Sequence, residues 1–298
     1  MNSECNLAQA LAAAQTLGLD RLDAQLLLLH VLGKAGADRA WLLAHDGDLL
    51  PDELAQQYRQ LSLRRAAGEP LAYIVGSKEF FGMTLQVDAR VLVPRPDTET
   101  LVEWALQQLA SKDMPASARV LDLGTGSGAI ALALKKTRPD LDVTAVDASA
   151  EALAVARANS GKHGLPIHFI LGNWFENVSG HFNLIVSNPP YVASIDSHLA
   201  ALRHEPLEAL TAGEDGLNDL RRIIEQAPAH LHPQGWLLLE HGYHQAQAVC
   251  GLLSQRGLAD VQSRADLAGI ARCSGGRWPG EPAGDGQTAD NQALISGF

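Results

Sequence analysis

The amino-acid sequence predicts an α/β fold, in which a domain built on a mostly parallel sheet covered by helices follows a small helical N-terminal domain and a β-hairpin linker. Three observations predict it. Apolar residues recur at helical spacing from Leu7 to about Ala67. Aromatic and β-branched residues punctuated by glycine fill Tyr73 to Val93. From Arg119 onward strand-like and helix-like segments alternate, which makes crossover units and therefore parallel neighbours. With 298 residues the chain reaches the length at which one core usually stops growing, so a large domain with a smaller companion is expected.

In chain order, Leu22, Leu26 and Leu29, then Leu54, Tyr58 and Leu61, mark the helices of the first part; Pro51 is placed like a first-turn proline, and Gly33 and Gly36 break runs. Asp20 and Asp23 fall near the start of a helix, where the macrodipole favours a carboxylate. Gly76 and Gly82 punctuate the hairpin region. Val93-Pro94-Arg95-Pro96-Asp97-Thr98-Glu99 is stiffened by two prolines and opens a helix, with Asp97 or Thr98 available as cap before Leu101, Val102 and Leu106. Strands are expected at 120–123, 143–146, 168–171, 184–186 and 236–239, with helices running to Lys136, to Asn159 and around Ile223. Pro279 to Asp290 is rich in Gly, Pro and polar residues without a period, the composition of a disordered tail. The expected division is 1–72 helical domain, 73–94 hairpin linker, 95–278 α/β domain and 279–298 tail.

The composition excludes several classes. No segment approaches the roughly 20 uninterrupted apolar residues of a membrane span. Met1 to Ala10 lacks a basic start, an apolar run and a cleavage site, so a cytoplasmic protein is expected. Cys5, Cys250 and Cys273 are far apart and form neither a disulfide framework nor a zinc spacing. His241 and His244 stand three apart without a carboxylate at a matching position, so no metal is expected. The formal net charge of −11 repels phosphate, which argues against stable nucleic-acid binding.

Val120-Leu121-Asp122-Leu123-Gly124-Thr125-Gly126-Ser127-Gly128 reads as an apolar strand turning through three glycines into an Ala/Leu-rich helix. Glycines at these positions remove the β-carbons that would hold a ligand off the backbone. A dinucleotide site normally carries Gly-x-Gly-x-x-Gly, and here the third glycine comes one residue early. Asp122, just before the turn, suits a cationic amino-acid ligand and would repel a pyrophosphate. Asp147 ends the second strand, where a carboxylate either caps the next helix or accepts both hydroxyl protons of a ribose. Together these features point to an adenosyl ligand.

Asn188-Pro189-Pro190-Tyr191 follows the apolar strand 182–187 and so falls at the carboxyl edge of the sheet, where open α/β folds bind ligands. Such a tetrapeptide also arises as a plain turn. Behind a glycine motif it reads instead as a clamp: the prolines fix the backbone and leave the carbonyls of Asn188 and Pro189 to accept the hydrogens of a planar NH2 group, while the Asn188 side-chain amide can both donate and accept. Tyr191 offers a flat face for stacking. Acceptors on those hydrogens favour pyramidalisation of a poorly nucleophilic amide nitrogen and lower the barrier to methyl transfer.

At this point the sequence resembles the HemK/PrmC family of release factor glutamine methyltransferases. The resemblance runs through Gly68-Glu69-Pro70-Leu71-Ala72-Tyr73-Ile74-Val75-Gly76, Pro94-Arg95-Pro96-Asp97-Thr98-Glu99, the glycine motif, Asn188-Pro189-Pro190-Tyr191 and Leu238-Leu239-Glu240-His241-Gly242, covering nearly all of the chain before the tail. It implies a Rossmann-like class I methyltransferase domain that uses S-adenosylmethionine, leaves S-adenosylhomocysteine, and methylates the glutamine of the Gly-Gly-Gln loop in class 1 peptide chain release factors. It further implies that Gly124, Thr125, Gly126, Ser127, Gly128, Asp147, Trp174 and Asn188 bind the cofactor, and that Asn188, Pro189, Pro190 and Tyr191 hold the glutamine, with Asn188, Pro189 and Tyr191 as the catalytic group. By the residues alone Trp174 is as readily a core aromatic.

Some features stay open at this level. Arg95 and Glu99 either pair on the first turn of their helix or shape the cleft. Arg64-Arg65 is a solvated helix face or a small docking spot for an acidic partner. The rival activity is methylation of an exocyclic base amine, adenine N6 or guanine N2, which needs the same clamp. A monomer is expected.

Overall fold

The computed structural model describes residues 5–34 and 39–280. Most of the expected tail, residues 281–298, and the expected break at Gly36 lie outside the described residues.

The first domain begins with β1 (Cys5–Asn6), α1 (Leu7–Thr16), α2 (Arg21–Val31) and α3 (Ala40–Ala44), and continues with β2 (Leu49–Leu50), α4 (Asp52–Ala66) and α5 (Leu71–Val75). Asn6 caps α1 in a capping box with Gln9. Asp20 caps α2 through Leu22 N at 2.7 Å, while Asp23 pairs with Arg65 of α4 at 2.6 Å. Four consecutive leucines, 26 to 29, leave the helical phase of α2 ambiguous in sequence. Its buried apolar residues are Ala24, Leu27, Leu28, Leu29 and Val31, whereas Leu22 is 43% exposed and Leu26 half-buried, so of the expected 22/26/29 face only Leu29 is fully buried. Tyr58 of α4 donates to the Ala24 carbonyl at 3.0 Å and joins the two helices.

A further correction concerns residues 73–75, expected as the start of the hairpin. They are helical, because Ile74 packs into the core of the N-terminal helices and tertiary burial outweighs the β preference of Tyr, Ile and Val. The hairpin proper is β3 (Ser77–Phe80) and β4 (Met83–Gln86), closed by Phe81 and Gly82, both at positive φ as a two-residue turn with the right twist requires. Val87, Val91 and Val93 then pack with Tyr73 against Ala152 and Val155.

The second domain comprises α6 (Thr98–Leu109), β5 (Arg119–Leu123), α7 (Ala129–Thr137), β6 (Asp142–Asp147), α8 (Ala150–His163), β7 (His168–Leu171), β8 (Phe182–Ser187), α9 (Asn218–Gln226), β9 (Leu231–Glu240), α10 (Ala246–Gln255), β10 (Ala259–Ala265) and β11 (Ala271–Arg277). The sheet runs β10-β11-β9-β8-β5-β6-β7. Strands β7, β6, β5, β8 and β9 are parallel, and β11 and β10 complete the edge antiparallel. Alternate residues bury against opposite layers: Val120, Leu184, Val186 and Leu238 face α6 and α7, while Leu121, Ile185, Leu237 and Leu239 face α9 and α10. The chain leaves β5 toward β6 and later returns to its other side as β8. That reversal opens a crevice at the carboxyl ends of β5 and β8. No described helix is long and apolar enough to cross a membrane.

Candidate active site

Strand β5 delivers the chain into a turn whose three glycines, 124, 126 and 128, all take positive φ. Gly124 N and Thr125 N both donate to the Val146 carbonyl at 2.9 Å, and Gly126 N donates to Asp147 Oδ2 at 2.8 Å, so the turn is stitched to the end of β6. The glycines serve different ends. A Cβ on Gly124 would meet the Trp174 ring at 3.3 Å, one on Gly128 would meet Leu132 Cδ1 at 3.1 Å and Ala156 Cβ at 3.3 Å, and one on Gly126 would meet nothing within 4 Å. Gly128 is thus required by the packing of α7 on α8. The Asp122 carboxylate lies beneath the turn, fully buried, accepting from the Thr125 hydroxyl at 2.6 Å and Ala131 N at 3.2 Å. It braces the turn and is not among the residues lining the cavity above it; burial pushes its pKa up to about 7.

A cavity of about 490 Å³ opens over this turn, within the range of small-molecule sites. Gly124, Thr125, Gly126, Ser127, Asp147, Trp174 and Asn188 line it, and Gly128 does not. Asp147 accepts from Gly126 N and from Ser149 N at 2.9 Å, which holds the carboxylate still at the cavity wall; burial raises its pKa, and the bonds from Ser149 and Gly126 oppose the rise. Trp174 has a backbone φ of 59°, lies against Gly124, and donates its indole N–H to Asp219 at 3.2 Å.

The clamp is set beside the turn by Ser187, whose hydroxyl donates to the Leu123 carbonyl at 2.7 Å and ties β8 to β5. Asn188 and Pro190 line the cavity, whereas Pro189 and Tyr191 do not. The Tyr191 phenol turns to Glu240 Oε1 at 3.4 Å, and burial beside that carboxyl raises its pKa well above the usual phenol range. Tyr191 therefore braces the clamp from behind, where the sequence alone suggested a free stacking face. Gln245 Nε2 reaches the Tyr191 carbonyl at 3.1 Å and the Asp215 carbonyl at 3.2 Å. A Cβ on Gly216 would stand 2.2 Å from that same Tyr191 oxygen, so only glycine fits there.

Two open questions close here. Arg95 lines the cavity and pairs with the buried Glu205 at 2.5 Å, while Glu99 accepts from Phe81 N at 2.9 Å and holds the hairpin turn. Asp97 makes no side-chain cap and pairs with Arg272 at 3.4 Å. Several residues escaped the sequence reading. Asn159, fully buried, accepts from Gln86 N at 2.7 Å and donates to the Gln86 and Ser127 carbonyls, fastening hairpin to glycine turn. Thr98 receives the Asn188 amide at 3.2 Å. Thr98 stands inside a segment that carries the family resemblance, yet nothing local to it shows that it meets Asn188.

Residues 102–250 match the model of the methyltransferase small domain, and residues 6–76 match that of the PrmC N-terminal domain. A release factor glutamine methyltransferase of Bordetella pertussis is 51% identical over 263 residues, 87% of this chain and 95% of that protein. The chain belongs to the release factor glutamine methyltransferase family. The enzyme of that name from Xylella fastidiosa is 48% identical over 275 residues, 91% of this chain and 98% of its own. Among solved structures, a methyltransferase of Pyrococcus furiosus superposes with a TM-score of 0.51 at 20% identity, covering 76% of this chain and 98% of its own, a likeness of fold.

Proposed function

We propose that this protein transfers a methyl group from S-adenosylmethionine to the side-chain amide nitrogen of the glutamine in the Gly-Gly-Gln motif of class 1 peptide chain release factors. The observation that carries the proposal is the 51% identity along 95% of a release factor glutamine methyltransferase, and the N-terminal helices separately match the PrmC N-terminal domain. We assign the helical domain, residues 1–72, to gripping the factor, and the cleft of the second domain to admitting the loop tip. A partner in translation sets the work of this enzyme in the cytoplasm, and since turn and clamp belong to one chain, a monomer suffices.

The cavity suits the cofactor. Gly126 leaves its wall open, Asp147 presents a carboxylate for ribose hydroxyls, Trp174 supplies an aromatic face for adenine, and Asp147 and Asp219 favour a cationic ligand. When bound, S-adenosylmethionine supplies an electrophilic methyl group. The chain's own task is positioning: Asn188, on the cavity wall, accepts a hydrogen of the glutamine NH2 through Oδ1, and the stiff proline pair that follows keeps that nitrogen aimed. No general base is required, because the amide proton becomes acidic once the nitrogen carries the methyl group.

The test is mass spectrometry of a purified class 1 release factor incubated with the protein and S-adenosylmethionine, with a Gly-Gly-Gln→Gly-Gly-Ala factor and total tRNA and rRNA in parallel. One added methyl on that glutamine, absent from the altered factor, supports the assignment. Methylation of nucleic acid alone would replace it with the exocyclic-amine activity.

A further inference from the structure

Between the clamp and α9 the chain makes a long excursion, and its last part, residues 203–212, lies against the cavity as a strap. Pro206, Glu208 and Ala209 line a part of the wall that neither the glycine turn nor the clamp supplies. The strap is attached at both ends and in the middle. At one end the Arg203 guanidinium donates to the carbonyl of Ala67, the C-cap of α4, where a helix leaves its carbonyls unpaired and its dipole favours a cation. At the other end Val192, next to Tyr191 of the clamp, donates its N–H to the Leu210 carbonyl at 2.9 Å and accepts from Ala212 N at 3.1 Å. In the middle stands Glu205, its side chain 3% exposed. Its Oε1 accepts from Arg95 Nη2 at 2.5 Å and its Oε2 from Val93 N at 3.2 Å.

The cavity-lining part of the strap has little grip of its own. Pro206 has no N–H, and Ala209 N and Leu210 N donate to the Pro206 and Leu207 carbonyls at 3.0 Å, bonds that shape the strap and do not fasten it to the wall. Leu207 is 62% exposed and adds little apolar burial. Glu205 supplies the attachment. A carboxylate so buried persists only with its oxygens bonded, here to a cation and a backbone N–H, and both partners belong to the segment that leads into α6. Pro94 and Arg95 of that segment line the cavity in turn. We propose that Glu205 is a positioning residue, the latch that holds residues 206–209 against residues 93–95 and keeps the cofactor cavity closed on that side. It slows escape of the ligand without touching the reacting atoms. The inference rests on the reading that this cavity takes S-adenosylmethionine.

Full-length variants test it by binding and exchange, apart from turnover. Glu205→Ala removes both bonds, and Glu205→Gln keeps the size but offers Arg95 and Val93 one acceptor oxygen in place of two. Displacement of bound S-adenosylhomocysteine, followed by tryptophan fluorescence, should be about tenfold faster in Glu205→Ala and several-fold faster in Glu205→Gln, with the association rate within about threefold of wild type. Hydrogen exchange read by mass spectrometry should quicken across residues 203–212 while β5 and β8 exchange as in wild type, a pattern that a general loss of stability does not give. Bound S-adenosylhomocysteine should slow exchange of residues 206–209 in wild type and not in Glu205→Ala. Arg203→Ala frees only the end on α4 and should change the dissociation rate less than about threefold. Unchanged dissociation in Glu205→Ala, quickened exchange spread over the whole sheet, or an Arg203→Ala effect as large as that of Glu205→Ala would overturn the proposal. Should Glu205→Ala fail to fold, Glu205→Gln decides by the same two readings. If the wild-type protein binds no S-adenosylhomocysteine, the cofactor reading fails on its own, and unchanged exchange of residues 203–212 in the ligand-free Glu205 variants still refutes the latch.

Discussion

Alanine at Gly126 and alanine at Gly128 should damage this protein in opposite ways. Both positions are left-handed, at φ +54° and +84°, so each substitution costs about 1–2 kcal/mol in backbone strain. At Gly128 the added methyl also stands 3.1 Å from Leu132 Cδ1 and 3.3 Å from Ala156 Cβ. Both neighbours are fully buried, at 0% exposure, which leaves little room to give, and overpacking of this kind adds about 1–3 kcal/mol. Gly128→Ala should therefore lose about 2–5 kcal/mol of stability while its cofactor affinity changes less than about threefold, the site lying off the cavity wall. At Gly126 nothing stands within 4 Å, and the strain alone falls on the fold. Its methyl projects where the cofactor would lie along the turn, so the Kd for S-adenosylmethionine should weaken by about tenfold or more, corresponding to roughly 1.4 kcal/mol or more. Thermal unfolding without ligand and titration calorimetry with S-adenosylmethionine separate the two effects. A Gly128→Ala protein of full stability that no longer binds, or a Gly126→Ala protein that binds as wild type, would refute this division of the glycines.

Further outcomes follow from the buried carboxyls and the clamp. For Asp122 the folded value of about 7 lies above its ordinary 3.8, so between about pH 4 and 7 the folded state holds the extra proton and stability falls as pH rises. Asp122→Asn, which can still accept from Thr125 and Ala131, should flatten that part of the stability–pH curve and unfold at pH 8 no earlier than wild type; an unchanged slope in denaturant titrations would count against it. Asn188→Ala should lower kcat by roughly 10²–10³ with the cofactor Kd nearly intact, and wild-type turnover would remove Asn188 from the mechanism. Asp147→Ala releases Gly126 N and Ser149 N as well as the carboxylate, so S-adenosylmethionine should bind at least about tenfold more weakly, which calorimetry reads directly.

The parallel strands and the glycine turn were legible because each rests on a short-range pattern: apolar β-branched runs, punctuating glycines and an Ala/Leu-rich helix. Strands β10 and β11 carry no such pattern. β10 lies at the exposed edge and reads Ala-Asp-Val-Gln-Ser-Arg-Ala, and the buried run of β11 is Cys273-Ser274-Gly275-Gly276. Small residues are needed there because a Cβ on Gly275 would meet the Leu237 carbonyl at 2.5 Å and Trp104 at 3.0 Å. A strand defined by the closeness of its neighbours leaves no hydrophobic period to read. For α5 the failure runs the other way, since a local β preference was present and packing against the helical bundle overruled it.

Sequence alone determined what depends on the backbone and on near neighbours: where φ must be positive, where prolines stiffen the clamp, which strand ends carry Asp147 and Asn188, and the family to which these motifs are similar. Only the tertiary structure decided which polar groups meet. Tyr191 found Glu240 across 49 positions, Asn188 found Thr98 across 90, and Arg95 found Glu205 across 110. The physical reason is that a buried polar atom must be satisfied by whatever the returning chain places beside it, and that identity follows from topology and sheet register rather than from local spacing.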